Sequence, residues 1–350
     1  MYYKYIKNKI SLLILLVLTL SLSGCSTNSD SAEAISSVAP FDSSKDTYEK
    51  ESTLLSVDKD SATTDTHNEY DLLSVPTYVT KIDNNYFIVD CYHNQVIYND
   101  NMTDSIKDWS VMTRDIEMGH TIASDGRVYL IDDTERHRIL VMEKDKQNSD
   151  RFIPTQEFTN IGTRPHYIIY NNERDTFYCL SSMTGELFCF RTDPNTSRVY
   201  LTQKMAIPEL DGYYVRSFTI IDDSIFFVSG NANIIEASLD DLSIIKSYPV
   251  PFSMYGMVQL TKIQDYYYIT ISTDGSGSQD AATIIRTKSL DSLITEEYED
   301  IYDLFIGGGT PYCITNVDDT YYLCEHRISG HTVWSFEVKD NNIENITSLY

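Results

Sequence analysis

The sequence predicts an all-β fold, a six-bladed β-propeller of four-stranded antiparallel blades, on two observations. The first is a tandem device that returns six times: a short turn around Asn, Asp or Gln, an unbroken apolar-aromatic run, then a second strand-like run. Successive turns begin at Asn84, Asp125, Asn171, Asp222, Gln264 and Asp318, with spacings of 41, 46, 51, 42 and 54 residues, the range of propeller blades. The second is that the runs do not alternate. A strand with one wet face alternates apolar and polar residues, whereas the second strand of a blade is covered by a neighbouring blade on each side and is apolar throughout.

In chain order, Lys4, Lys7 and Lys9 precede the apolar stretch from Ile10 to Leu22. That stretch is an export signal, too short for a stable membrane span. The tetrapeptide Leu22-Ser23-Gly24-Cys25 that ends it resembles the lipobox of bacterial lipoproteins. The resemblance implies that residues 1–24 are a removed signal peptide. It also implies that Cys25 is the lipidation site, so that the chain sits on the extracellular side of a bacterial cell membrane. Two or three acyl chains anchor durably, because each buried methylene contributes about 0.8 kcal/mol.

Residues 25–69 read as a lipidated, disordered tether dominated by Ser, Thr, Asp and Glu, spanning roughly 35 to 40 Å as a relaxed coil. The cluster Leu54-Leu55-Ser56-Val57 leaves an alternative open, a strand that docks on the propeller and shortens the tether. Residues 70–350 form the propeller domain. Its six runs are Tyr86–Val89, Val128–Ile131, Phe177–Leu180, Ile225–Val228, Tyr266–Ile269 and Tyr321–Cys324.

The net charge of −25 becomes −28 when the three lysines leave with the signal, since residues 1–24 hold no Asp or Glu. Such a surface repels phosphate and argues against nucleic acid as a partner. After Cys25 five cysteines remain, an odd number, so at least one has no partner within the chain. A three-residue loop Met183-Thr184-Gly185, with Gly185 left-handed, would set Cys179 opposite Cys189. A two-residue Asp318-Asp319 turn sets Cys313 opposite Cys324. Buried small hydrophobes are the preferred reading of both pairs.

Blade two, from Ala123 through Asp125-Gly126-Arg127-Val128-Tyr129-Leu130-Ile131-Asp132 to Arg138-Ile139-Leu140-Val141, resembles the NHL repeat of six-bladed propellers. Blade one follows it loosely, with Tyr86-Phe87-Ile88-Val89-Asp90 leading to His93-Asn94-Gln95-Val96-Ile97. The resemblance implies the fold over roughly residues 72–338 and no activity. In propellers of that kind, loops that lead into innermost strands gather around the channel on one face. Here they supply His120, Arg164, His166, Arg216, Tyr255 and Tyr312, with Gly307-Gly308-Gly309 nearby. This cationic and aromatic set in an acidic chain is the candidate ligand-binding site. The expected task is non-catalytic binding of a glycan, peptide or envelope protein, with no cofactor and no metal. Histidines titrating near 6.5 would tighten the hold on an anionic ligand as the pH falls.

The alternative is an enzyme on the same face. The amidating lyases resemble this architecture and use a histidine-held metal, which would draw on His120 and His166 with Arg164 or Arg216 and Tyr255 or Tyr312. A third histidine at an equivalent place is missing. The gluconolactonase-type lactonases hold a divalent cation through Glu, Asn and Asp, and no Glu stands at these positions. The stretch Asp274–Asp280 spaces oxygen ligands like a calcium loop, yet its twelfth position is Ile285 rather than Glu.

Overall fold

The computed structural model describes residues 52–55, 66–148, 151–274, 280–305 and 309–350. The signal peptide, Cys25, most of the tether, Gly307, Gly308 and the interior of the Asp274–Asp280 stretch lie outside the described residues. Among the described residues a short strand β1 (Ser52–Leu54) comes first, and then six four-stranded antiparallel sheets follow in sequence order.

Blade one is β2 (Pro76–Ile82), β3 (Asn85–Asp90), β4 (Gln95–Asn99) and β5 (Ser110–Thr113). Blade two is β6 (Ile122–Ser124), β7 (Val128–Asp133), β8 (Arg138–Lys144) and β9 (Phe152–Phe158). Blade three is β10 (Pro165–Asn171), β11 (Thr176–Ser181), β12 (Glu186–Thr192) and β13 (Val199–Ala206). Blade four is β14 (Val215–Ile221), β15 (Ser224–Ser229), β16 (Asn233–Ser238) and β17 (Ile244–Pro249). Blade five is β18 (Gly256–Ile263), β19 (Tyr266–Thr273), β20 (Asp280–Thr287) and β21 (Glu299–Asp300). Blade six is β22 (Thr310–Val317), β23 (Thr320–His326), β24 (Val333–Lys339) and β25 (Asn342–Ser348).

All six apolar runs are second strands, and consecutive residues within each point to opposite neighbours. In β15, Ile225 and Phe227 enter the core shared with blade three, while Phe226 and Val228 enter the core shared with blade five. Tyr129 and Ile131 of β7 pack toward blade one, Val128 and Leu130 toward blade three. Six such inter-blade cores close the ring. The turns before the runs hold left-handed residues, Asp83 (φ 54°), Gly126 (86°), Asp175 (46°), Asp222 (53°), Gln264 (52°) and Asp318 (54°). Four of these six are Asp, whose short polar side chain tolerates that region, and one is Gly.

Blade six is built wholly from the C-terminal strands, so ring closure rests on side chains rather than on a shared sheet. The Tyr350 hydroxyl lies 2.5 Å from the Met102 carbonyl and 2.9 Å from that of Asp104, and accepts from Trp109 Nε1 at 3.2 Å. β1 pairs antiparallel with β9 as a fifth strand of blade two, the docked-strand alternative. Residues 66–69 also belong to the packing: Val111 N donates to the Thr66 carbonyl, and the buried Asn68 donates to the Ile106 carbonyl at 2.8 Å.

The Cys179–Cys189 expectation is corrected. Gly185 is left-handed (φ 62°), but Ser181 pairs with Glu186 across four loop residues. The extra residue shifts the register by one, so Cys179 faces Phe188 and Cys189 faces Tyr178, and the two thiols enter different inter-blade cores. Cys313 does face Cys324. Cys91, Cys179, Cys189, Cys313 and Cys324 are all buried free thiols.

Candidate functional site

Antiparallel alternation sends the loops between second and third strands, and those leading into each blade, to one end of the ring. There they interlock. Gly212 N donates to the Met183 carbonyl, Val250 N to that of Ala232, and Glu135 N to that of Glu117. Most second strands end at this face in a buried polar residue that organises the loops. Asp90 accepts from Ser74 N and Val75 N, Asp132 from His120 N and Thr121 N, and Ser181 Oγ from Thr163 N. In blade six Glu325 accepts from Tyr302 and Trp334.

First strands carry a β-bulge where they start. Register shifts leave Thr77, His166, Arg216, Val258 and Tyr312 unpaired against the second strand. An extra residue there bends the strand and re-aims its side chain. Blade two reaches a similar end differently, since Asp132 holds the backbone of His120 and Thr121 just before β6.

Three candidates converge on the axis. The His120 and His166 rings stack with centroids 3.8 Å apart, and Tyr312 stacks at 5.8 Å from His120. Since these come from blades two, three and six, they meet across the channel. His166 Nδ1 donates to the Arg216 carbonyl at 2.9 Å, which fixes its tautomer. Its Nε2 accepts from the Tyr214 hydroxyl at 2.9 Å, with the Tyr312 hydroxyl 3.3 Å away. His120 Nδ1 exchanges a hydrogen bond with Thr134 Oγ1 at 3.0 Å, and its Nε2 lies 3.9 Å from Cys91 Sγ. A second layer fills the channel beneath, where Tyr78 meets Tyr167 edge-on. There Gln259 Nε2 donates to the Tyr167 hydroxyl at 3.2 Å and to the Ile314 carbonyl at 3.1 Å.

The two arginines meet over one ring. Arg164 Cζ lies 5.9 Å and Arg216 Cζ 5.3 Å from the Tyr214 centroid. Arg164 is paired with Glu135, and its backbone is left-handed (φ 62°), held by its N–H donating to His137 Nδ1 at 3.0 Å. Arg216 reaches across to blade five and donates to the Ser272 and Thr273 hydroxyls. Among the described residues no carboxylate pairs with it. Tyr255 stands apart from this group, its ring against Phe252 and packed on the core between blades four and five.

The expected pH response of the histidines is overturned. Burial, followed by the fields of Arg164 and Arg216, lowers His120 to about 3. Burial, followed by His120, pushes His166 well below the usual imidazole range. Both rings are therefore neutral at physiological pH. Asp132 is raised to about 7 by burial, against the hydrogen bonds it accepts from Thr121, His120 and Thr134. Burial, then Asp132 and Asp90, likewise raises the Cys91 thiol, so it carries no thiolate. Among the described residues no group of three or more His, Cys, Asp or Glu is arranged to hold a metal.

Sequence reasoning missed Tyr214, Thr134 and Glu135. Asp132 and Asp90 were legible, since each directly ends an apolar run, but a sheet register is needed to see them as loop anchors.

No protein-family model matches the chain, and no curated protein matches its sequence. Solved structures do match in fold. A putative 6-phosphogluconolactonase from Bacteroides fragilis aligns with TM-score 0.56 at 11% identity, over 77% of this chain and 82% of that one. A streptogramin B lyase aligns with TM-score 0.54 at 13% identity, over 82% and 86%. Hydrazine synthase of Kuenenia stuttgartiensis aligns with TM-score 0.52 at 15% identity, over 78% and 79%. Similarity at this level shows the propeller fold alone.

Proposed function

We propose that the chain is a lipid-anchored extracellular propeller that binds a carboxylate-bearing peptide or glycan, without catalysis, at the channel mouth. The observation that carries this reading is Arg216, a half-buried guanidinium whose hydrogen-bond partners among the described residues are hydroxyls, beside Arg164 over the Tyr214 ring in a strongly acidic chain. A bidentate carboxylate suits such a group. The histidines support a framing role rather than acid–base chemistry, because both ring nitrogens of His166 are engaged by protein groups. Exposed apolar side chains on loops of the same face, Tyr92, Tyr213, Phe252 and Leu304, favour an extended ligand over a small one.

The test is calorimetric titration of hits from a glycan and acidic-peptide screen. Arg216→Ala weakens binding by about 1.5–3 kcal/mol, the range for a charge-assisted hydrogen bond. Arg164→Ala weakens it less, because Glu135 already neutralises that guanidinium. Equal affinities for wild type and Arg216→Ala would move the site off this face. Anchoring through Cys25 is tested separately: Cys25→Ala abolishes fatty-acid labelling, and a variant that still takes up acyl chains rejects the assignment.

A further inference from the structure

A cleft of about 510 Å³ opens at blade five, within the size range of small-ligand sites. Its walls are the start of β19, the end of β20 and the connection from 288 to 298. Loops between third and fourth strands lie at the opposite end of the ring from the channel mouth, so the cleft is separate from the site above.

The cleft is preformed. Leu290 and Leu293 bury the connection in the core shared with blade four. Thr287 Oγ1 and Ser292 Oγ tie it further to the Ser289 and Glu297 carbonyls. Tyr266 and Tyr298 supply ring surface, and Arg286 Cζ and Lys288 Nζ lie 4.7 and 5.1 Å from the Tyr266 centroid. Arg286 is committed, donating to Glu299 at 2.7 Å and to the Asn341 carbonyl at 2.7 Å. Lys288 and Glu297 also line the cleft, and no hydrogen bond or ion pair of their side chains is found among the described residues.

The balance of groups selects the ligand. Two cations and two carboxylates line the space, so an anion meets Glu297 and Glu299 while a cation meets Arg286 and Lys288. A neutral, hydroxyl-rich ring meets neither penalty. It can accept from Lys288, donate to Glu297 and lie against tyrosine. We infer that this cleft is a second binding site, for a neutral saccharide unit, independent of the channel-mouth reading.

The test titrates the intact chain with maltotetraose, cellotetraose and tetra-N-acetylchitotetraose, and with glucuronate as the charged control. At least one neutral tetrasaccharide saturates. Lys288→Ala and Glu297→Gln, both at exposed positions, each weaken it about three- to tenfold, the loss of one hydrogen bond. Arg216→Ala leaves this affinity within about twofold. Saturation by none of the three, unchanged affinity in both cleft variants, or tighter binding of glucuronate would overturn the assignment.

Discussion

His166 illustrates how far a residue's chemistry departs from its type. As a sequence letter it is a titrating imidazole; in the fold it is 1% exposed, fixed by a carbonyl at one nitrogen and a tyrosine hydroxyl at the other. The unfolded chain takes up a proton near pH 6.5 that the folded chain refuses. Its contribution to stability is therefore present above that pH and is lost as the pH falls below it. His120 acts in the same direction, between about 3 and 6.5. Asp132, raised to about 7, opposes them, since the folded state holds its proton and stability falls as the pH rises through the carboxylate range. Comparing wild type with His166→Gln isolates one imidazole. Denaturant titrations below pH 6 show the variant losing stability less steeply, by up to about 1.4 kcal/mol per pH unit. For the ligand proposed at the mouth, affinity is flat from pH 5.5 to 8 in respect of these histidines. An increase on acidification with a midpoint near 6.5 would mean that one of them is solvated and charged.

At the scale of the strand, the apolar runs were legible because burial on both faces removes the polar alternation that a wet face imposes. β15 is the test case. Phe227 is buried in the core between blades three and four, against Phe218 at 6.1 Å between ring centroids. Phe227→Ala costs about 3–5 kcal/mol by chemical denaturation, from lost transfer energy and the cavity left behind. A loss below about 1 kcal/mol would show that the neighbouring blades do not grip this strand. Hairpin register was less legible. The turn after Cys179 contains the expected left-handed Gly185, but loop length is set by contacts outside the hairpin, where Gly185 O accepts from Ile207 N. One residue of difference put the two cysteines on opposite faces of the blade.

For the whole molecule, the six-fold repeat was readable and ring closure was not. Blades six and one meet through side chains, and Tyr350 bridges them through Met102, Asp104 and Trp109. Tyr350→Phe keeps the ring and removes these bonds. It costs about 1–3 kcal/mol, measured by denaturation, because partly buried partners lose their satisfaction. An unchanged midpoint would assign closure to the apolar contacts of the core between these blades alone. The sequence by itself determined the number of blades, the second strand of each and, to within one residue at the first, where Asp83-Asn84 rather than Asn84-Asn85 makes the turn, the turns before them, because period, continuous apolarity and left-handed turn residues are local properties. Only the tertiary structure decided which chemistry the channel mouth holds. Five innermost strands carry bulges, and the ring brings residues nearly 200 positions apart into contact, so His120 stacks on Tyr312, Arg216 is left with hydroxyl partners and Tyr255 is turned away. Those outcomes depend on burial and on neighbours from other blades, which no local pattern encodes.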